Sequence, residues 1–126
     1  MKSIKLYPKI EELNRLNEFF EKEFNLNNFD VRLIIEEIFV NIANYSECSY
    51  IIASFELDEN MLTIKFEDDG NEFNPLIVES PELPDNIEDA KIGGLGIHLV
   101  KNLADEMYYE YKDNKNHMTI IKNVKI

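Results

Sequence analysis

The stretch VRLIIEEIFVNIANYS, residues 31–46, is apolar on almost every side. Leu33, Ile34, Ile35, Ile38, Phe39, Val40, Ile42 and Ala43 would leave water little access to a helix, so a buried helix is predicted from about Val31 to Tyr45. Asn28 or Asp30 can serve as its N-cap. Within this apolar run, Glu37, Asn41 and Asn44 stand at i, i+4 and i+7, on one stripe. Buried polar groups need partners. The stripe therefore either hydrogen-bonds within the protein or lines a cavity for a ligand or metal. A plainer alternative has Asn44 capping the helix end and Glu37 facing solvent beside Glu36.

Around this helix the pattern changes. IKLY alternates and stops at Pro8, which suits an edge strand. KIEELNRLNEFFEKEF carries Ile10, Leu13, Leu16, Phe20 and Phe24 at helical spacing. Downstream, SYIIASFELD and MLTIKFED read as a hairpin around Glu59-Asn60. Periodicity is lost from Asp69 to Ile92, through Pro75, Pro81, Pro84 and five acidic residues between Glu79 and Asp89. A segment that long inside a compact domain reads as a lid or binding loop; we expect a lid at about 69–95. A third helix is expected to about Ala104, then a closing hairpin, MYYEYKD and HMTIIKNV, around Asn114-Lys115. Strands in hairpins with helices gathered together predict an α+β fold. The expected form is a two-layer α/β sandwich over residues 1–126, with helices on one face of a mixed, mostly antiparallel sheet.

Two further stretches carry chemistry. FEDDGNEFNP, residues 66–75, follows a predicted strand. Asp-Gly favours a hairpin, but NEFNPL contains a proline and does not alternate, so the strand ends at Asp68 or Asp69. A strand-end carboxylate two residues before a glycine suits a planar ligand: it can accept from an amino group, and Gly70 permits close backbone approach. The segment lacks the alternating oxygen ligands of a calcium loop. KIGGLGIHLVKNLAD, residues 91–105, opens a helix with Gly93, Gly94 and Gly96. Unpaired N–H groups at a helix start attract phosphate. A P-loop is excluded because no Gly-Lys-Ser/Thr follows. A dinucleotide fingerprint is excluded because Leu99 holds the third glycine's place.

Thirteen Lys and Arg face 25 Asp and Glu, a net charge of -12. Nucleic acid and anionic lipid are bound mainly by Lys and Arg, so neither is an expected partner. Nucleotide phosphates would need a divalent cation and backbone donors. One cysteine, Cys48, cannot form an internal disulfide, and with His98 and His117 it cannot build a zinc cage. The opening MKSIKLYPKI reads as too short and too polar for a signal peptide, and no apolar run approaches the ~18 residues of a membrane span, so a cytoplasmic location is expected.

The order of these features resembles the GHKL ATPase superfamily, which has the Bergerat fold and includes gyrase, heat-shock chaperone, histidine kinase and mismatch-repair ATPases. EEIFVNIANY is similar to its N box, DDGNEFNP to its first glycine box and GGLGIHLVKNLAD to its second. The small size points to the stand-alone branch of anti-sigma-factor serine/threonine kinases. The resemblance implies ATP and Mg²⁺ as cofactors. It implies Asn41 as metal ligand, Glu37 as the catalytic group that positions or activates the attacking oxygen, and Asp68 with Gly70 at the adenine. The remaining nucleotide contacts would be Asn44, Phe73, Gly93, Gly94, Leu95, Gly96 and Ile97, with Lys91 and Lys101 as possible phosphate neighbours. The implied partner is a sigma factor or an anti-sigma-factor antagonist whose Ser or Thr receives the γ-phosphate. A homodimer paired through the N-terminal strand is also expected. The alternatives are a non-catalytic, nucleotide-gated binding module and a simple ATP hydrolase.

Overall fold

The computed structural model describes residues 1–77 and 94–124. The elements are β1 (Lys2–Leu6), α1 (Glu12–Phe24), α2 (Phe29–Tyr45), β2 (Ile51–Asp58), β3 (Met61–Asp68), a 3-10 turn (Pro75–Ile77), α3 (Gly94–Leu103), β4 (Glu106–Lys112) and β5 (Lys115–Asn123). The five strands form one sheet in the order β1-β2-β3-β5-β4. Every pairing among the described residues is antiparallel, so the expected mixed sheet lies at its antiparallel limit.

Strand alternation builds the core. Ile51, Ala53 and Phe55 of β2, Leu62, Ile64 and Phe66 of β3, and Met118 and Ile120 of β5 point inward and are buried. Residues between them face the other side. The buried helical face adds Leu16 and Phe20 from α1, five apolar side chains from Val31 to Phe39 of α2, and Ile97 and Val100 of α3. Phe20 packs on Phe55 with ring centroids 5.0 Å apart, which fixes α1 on the middle of β2. The result is a two-layer α+β sandwich with its helices on one face. No helix among the described residues is long and apolar enough to cross a membrane.

Two local expectations shift, and the choice of cap for α2 is settled. α1 starts at Glu12 and leaves Ile10 half exposed, because the turn after Pro8 takes up the residues before it. Asn28 supplies the α2 cap, its Oδ1 accepting from Val31 N at 3.1 Å. The last hairpin turns at Asp113-Asn114, one residue before the expected pair, with Lys112 opposite Lys115. Both loop residues take positive φ, 55° and 61°. Asp and Asn tolerate that conformation better than Lys.

The edge of β1 bears on the expected homodimer. Arg15 donates to the Lys5 carbonyl at 2.7 Å, and Tyr7 N donates to Glu12 at 3.4 Å. Helix α1 thus covers main-chain groups at the C-terminal end of β1 that a second strand would use, a common way to protect an edge.

Candidate functional site

Helix α2 passes through the core with seven residues buried, and one of them is polar: Asn41, 1% exposed. Its Nδ2 donates to the Glu37 carbonyl at 2.7 Å, which orients the amide and leaves Oδ1 as the acceptor. One turn earlier, the Glu37 side chain is half-buried. Burial, reinforced by the negative charge of Glu36, pushes its carboxyl above the ordinary glutamate value. The third member of the stripe behaves differently: Asn44 is exposed, beside a partly exposed Tyr45 whose ring stacks on Phe73 at 5.8 Å. The stripe therefore divides, with Glu37 and Asn41 turned inward and Asn44 out.

Helix α3 meets α2 at Glu37. A Cβ added to Gly96 would lie 1.9 Å from Glu37 Oε2 and 2.7 Å from Cδ. Space, not backbone conformation, favours glycine at 96 while Glu37 holds this position: its backbone is not in the left-handed region. The Glu37 carboxylate thus rests against the first turn of α3, among the N–H groups that an α-helix leaves unpaired at its start. Ile97 follows, fully buried in the core, so any ligand contact from it would be made by its backbone. Gly94 and Leu95 belong to the same first turn. Gly93 and Lys91, and with them most of the expected lid, lie outside the described residues. Lys101 donates to the Leu76 carbonyl at 2.7 Å, tying α3 to the 3-10 turn. His98 is exposed on α3.

The second cluster forms where β3 ends. Asp68 is the last residue of β3 and is 1% exposed. Its Oδ1 accepts from Gly70 N and from Asn116 Nδ2, both at 2.9 Å. Burial pushes the carboxyl above the ordinary aspartate value, and the donations from Asn116 and Gly70 pull it partly back. The Ser46 hydroxyl, close by, also pulls the carboxyl down. The neighbouring Asp69 turns outward and accepts from Ser49 N at 2.7 Å, from the Ser49 hydroxyl and from Tyr50 N at 3.3 Å. Those donors, led by the Ser49 hydroxyl, hold its carboxyl below the ordinary range. Two adjacent aspartates thus have different tasks, one aimed into the fold and one bracing a loop.

Gly70 joins the clusters. A Cβ there would lie 2.2 Å from the Ser46 carbonyl oxygen and 2.7 Å from its Oγ. Asn71 N donates to that same carbonyl at 2.7 Å. The C-terminal end of α2, which carries Glu37 and Asn41, is thereby laced to the loop that follows Asp68. Ser46 is fully buried; its Oγ makes no hydrogen bond of ordinary geometry, yet it sits close enough to Asp68 and Cys48 to pull both groups down.

Two site residues are not evident from sequence motifs. Asn116 pairs across the sheet with Asp68 and is 3% exposed. Ser46 forms the other wall. Alternation could have found Asn116: it occupies the inward position that Met118 and Ile120 share on β5, and a polar residue there needs a reason. Ser46 carries no such signal.

A hard cation suits the oxygen atoms on α2, the Asn41 amide and the Glu37 carboxylate. Among the described residues no group of three or more His, Cys, Asp or Glu is placed to hold a metal. The donor set fits a cation that arrives with phosphate oxygens and needs one protein ligand, not an all-protein cage.

Residues 9–122 match the histidine kinase-like ATPase domain family. Over 59 residues the chain is 29% identical to the serine/threonine-protein kinase BtrW of Bordetella bronchiseptica. That match takes in 47% of this chain and 42% of BtrW, less than half of either. The Acinetobacter baumannii histidine kinase AdeS shares the fold, with a TM-score of 0.56 at 14% identity, over 100% of this chain and 69% of that one.

Proposed function

Since the chain belongs to the histidine kinase-like ATPase domain family, the GHKL ATPases, we propose that it is a cytoplasmic serine/threonine protein kinase of the anti-sigma-factor type. In this reading it binds ATP and transfers the γ-phosphate to a Ser or Thr of an antagonist protein, which changes its hold on a sigma factor. The observation that carries the catalytic half is the position of Glu37, whose carboxylate lies against the glycine of the first α3 turn.

Asp68 Oδ2 accepts a hydrogen bond from the exocyclic amino group of adenine, with Gly70 leaving room for the ring. Phe73, stacked on Tyr45, offers an aromatic wall near the base. Backbone N–H groups of Gly94, Leu95, Gly96 and Ile97 face the phosphates, which compensates for the scarcity of nearby cations in an acidic protein. Asn41 Oδ1 would hold Mg²⁺, with Asn44 at the margin. When bound, the cation would offset phosphate charge. Glu37 orients the acceptor hydroxyl and takes its proton as that oxygen bonds to the γ-phosphorus; the bond to the bridging oxygen breaks and ADP leaves. Burial suits this role, because a carboxyl pushed upward is a stronger base.

The test is transfer from labelled ATP to a cognate antagonist protein. The account expects phosphoserine or phosphothreonine with the unaltered chain and a loss of roughly 10²–10⁴-fold in Glu37→Gln. ATP binding without transfer to any cognate partner would leave the chain a nucleotide-gated binding module and overturn the kinase reading.

A further inference from the structure

Asn116 stands in the middle of the adenine end of the site, and its amide is saturated by protein. Nδ2 donates to Asp68 Oδ1 at 2.9 Å and to the Asn71 carbonyl at 2.7 Å. Oδ1 accepts from Phe73 N at 2.9 Å and from the Tyr109 hydroxyl. A primary amide has two donor hydrogens and two acceptor lone pairs, so all four are engaged and none remains for a ligand.

Those four bonds reach three separate pieces of the fold: the end of β3, the loop after it at two points, and β4. Asp68 and Asn116 face each other in the β3–β5 register, which makes the link short and rigid. The consequence for Asp68 is directional. With Oδ1 held by Asn116 and Gly70, the carboxylate plane is fixed and Oδ2 is the oxygen turned toward a ligand. The consequence for the loop is positional, because Phe73 N hangs from the same side chain.

We propose that Asn116 is a positioning residue for purine recognition: it touches no nucleotide, but sets which oxygen of Asp68 meets the purine amino group and where the Phe73 wall stands. Its donation to Asp68 also favours the ionised carboxylate, the form that accepts from an amino group. This inference rests on the assignment of Asp68 to adenine.

The experiment compares affinities for ATP and inosine triphosphate, which carries an oxo group where adenine has its amino group. Calorimetric titrations are made on the full chain, on Asn116→Ala and on the near-isosteric Asn116→Leu. Leucine keeps most of the volume and removes both donations without setting a second carboxyl against Asp68, whose Oδ1 lies 2.9 Å from Asn116 Nδ2. The unaltered chain should prefer ATP by about 10-fold or more, the worth of a hydrogen bond to a charged group. Both variants should lose most of that preference, whatever happens to overall affinity. Equal weakening for both nucleotides, with the ratio intact, makes Asn116 a structural strut only and overturns the proposal. If Asn116→Ala does not fold, the Asn116→Leu ratio alone decides. No preference in the unaltered chain would instead remove Asp68 from adenine, a different failure.

Discussion

Replacing Gly96 with alanine should separate catalysis from folding. The new Cβ would stand 1.9 Å from Glu37 Oε2, and ordinary contact begins at about 3.4 Å. The carboxylate must therefore retreat by about 1.5 Å. The obstacle is the end of a flexible side chain, so the fold can yield. Moving Glu37 off its preferred rotamer costs about 0.5–1.5 kcal/mol. Alanine in a helix recovers up to about 1 kcal/mol relative to glycine, and no positive φ opposes it. The two effects nearly cancel, so the melting temperature should move by no more than a few degrees. Phosphoryl transfer should fall by about 100-fold, the usual consequence of misplacing a reacting group by 1 Å or more. Calorimetry with ATP, thermal denaturation and a labelled-ATP transfer assay read the three quantities separately. A Gly96→Ala protein that transfers phosphate at the unaltered rate would refute the reasoning, since Glu37 would then not need its observed position. So would a collapse in stability, which would mean the contact is structural.

Gly70→Ala should do the opposite. Its Cβ would meet the Ser46 carbonyl oxygen at 2.2 Å, a backbone atom that cannot swing away, so a loss of about 1–3 kcal/mol is expected in denaturant or thermal unfolding. Asp68→Asn should weaken ATP by about 1–3 kcal/mol in titration calorimetry yet stabilise the free protein. Burial raises the Asp68 carboxyl above its ordinary 3.8, so ionisation disfavours the fold. That penalty is absent while the group is protonated, grows as pH rises through the raised value, and persists at neutral pH. Melting temperatures against pH should therefore show the variant above the unaltered protein at pH 7, with the gap closing toward acid.

The sequence makes the helices and hairpins readable because each has an unbroken hydrophobic period. The apolar run from Leu33 to Ala43 could bury only as a central helix, and Glu37 and Asn41 stood out against it. The inward turn of Glu37 depends on α3, however, which sequence spacing does not place. Solvent-facing Glu37 beside Glu36 was an equally regular helix until Gly96 is seen against the carboxylate. Asn44 shows the reverse: it keeps the period of the stripe but lies past the point where α2 is covered. Cross-strand register hides Asn116, because its meaning comes from Asp68 on a strand 48 positions away. Ser46 is hidden for the same reason, since only the returning loop at Gly70 encloses it. The displaced turn at Asp113-Asn114 reflects backbone conformation, for which the neighbouring Asn114-Lys115 pair offered almost the same signal.

The most direct test of the account is a crystal structure with Mg²⁺ and a non-hydrolysable ATP analogue. It should place the adenine amino group within about 3 Å of Asp68 Oδ2, the triphosphate over the first turn of α3, and the cation on Asn41. A nucleotide bound elsewhere, or none bound at saturating concentration with the space between Asp68 and Glu37 filled by side chains, would contradict it.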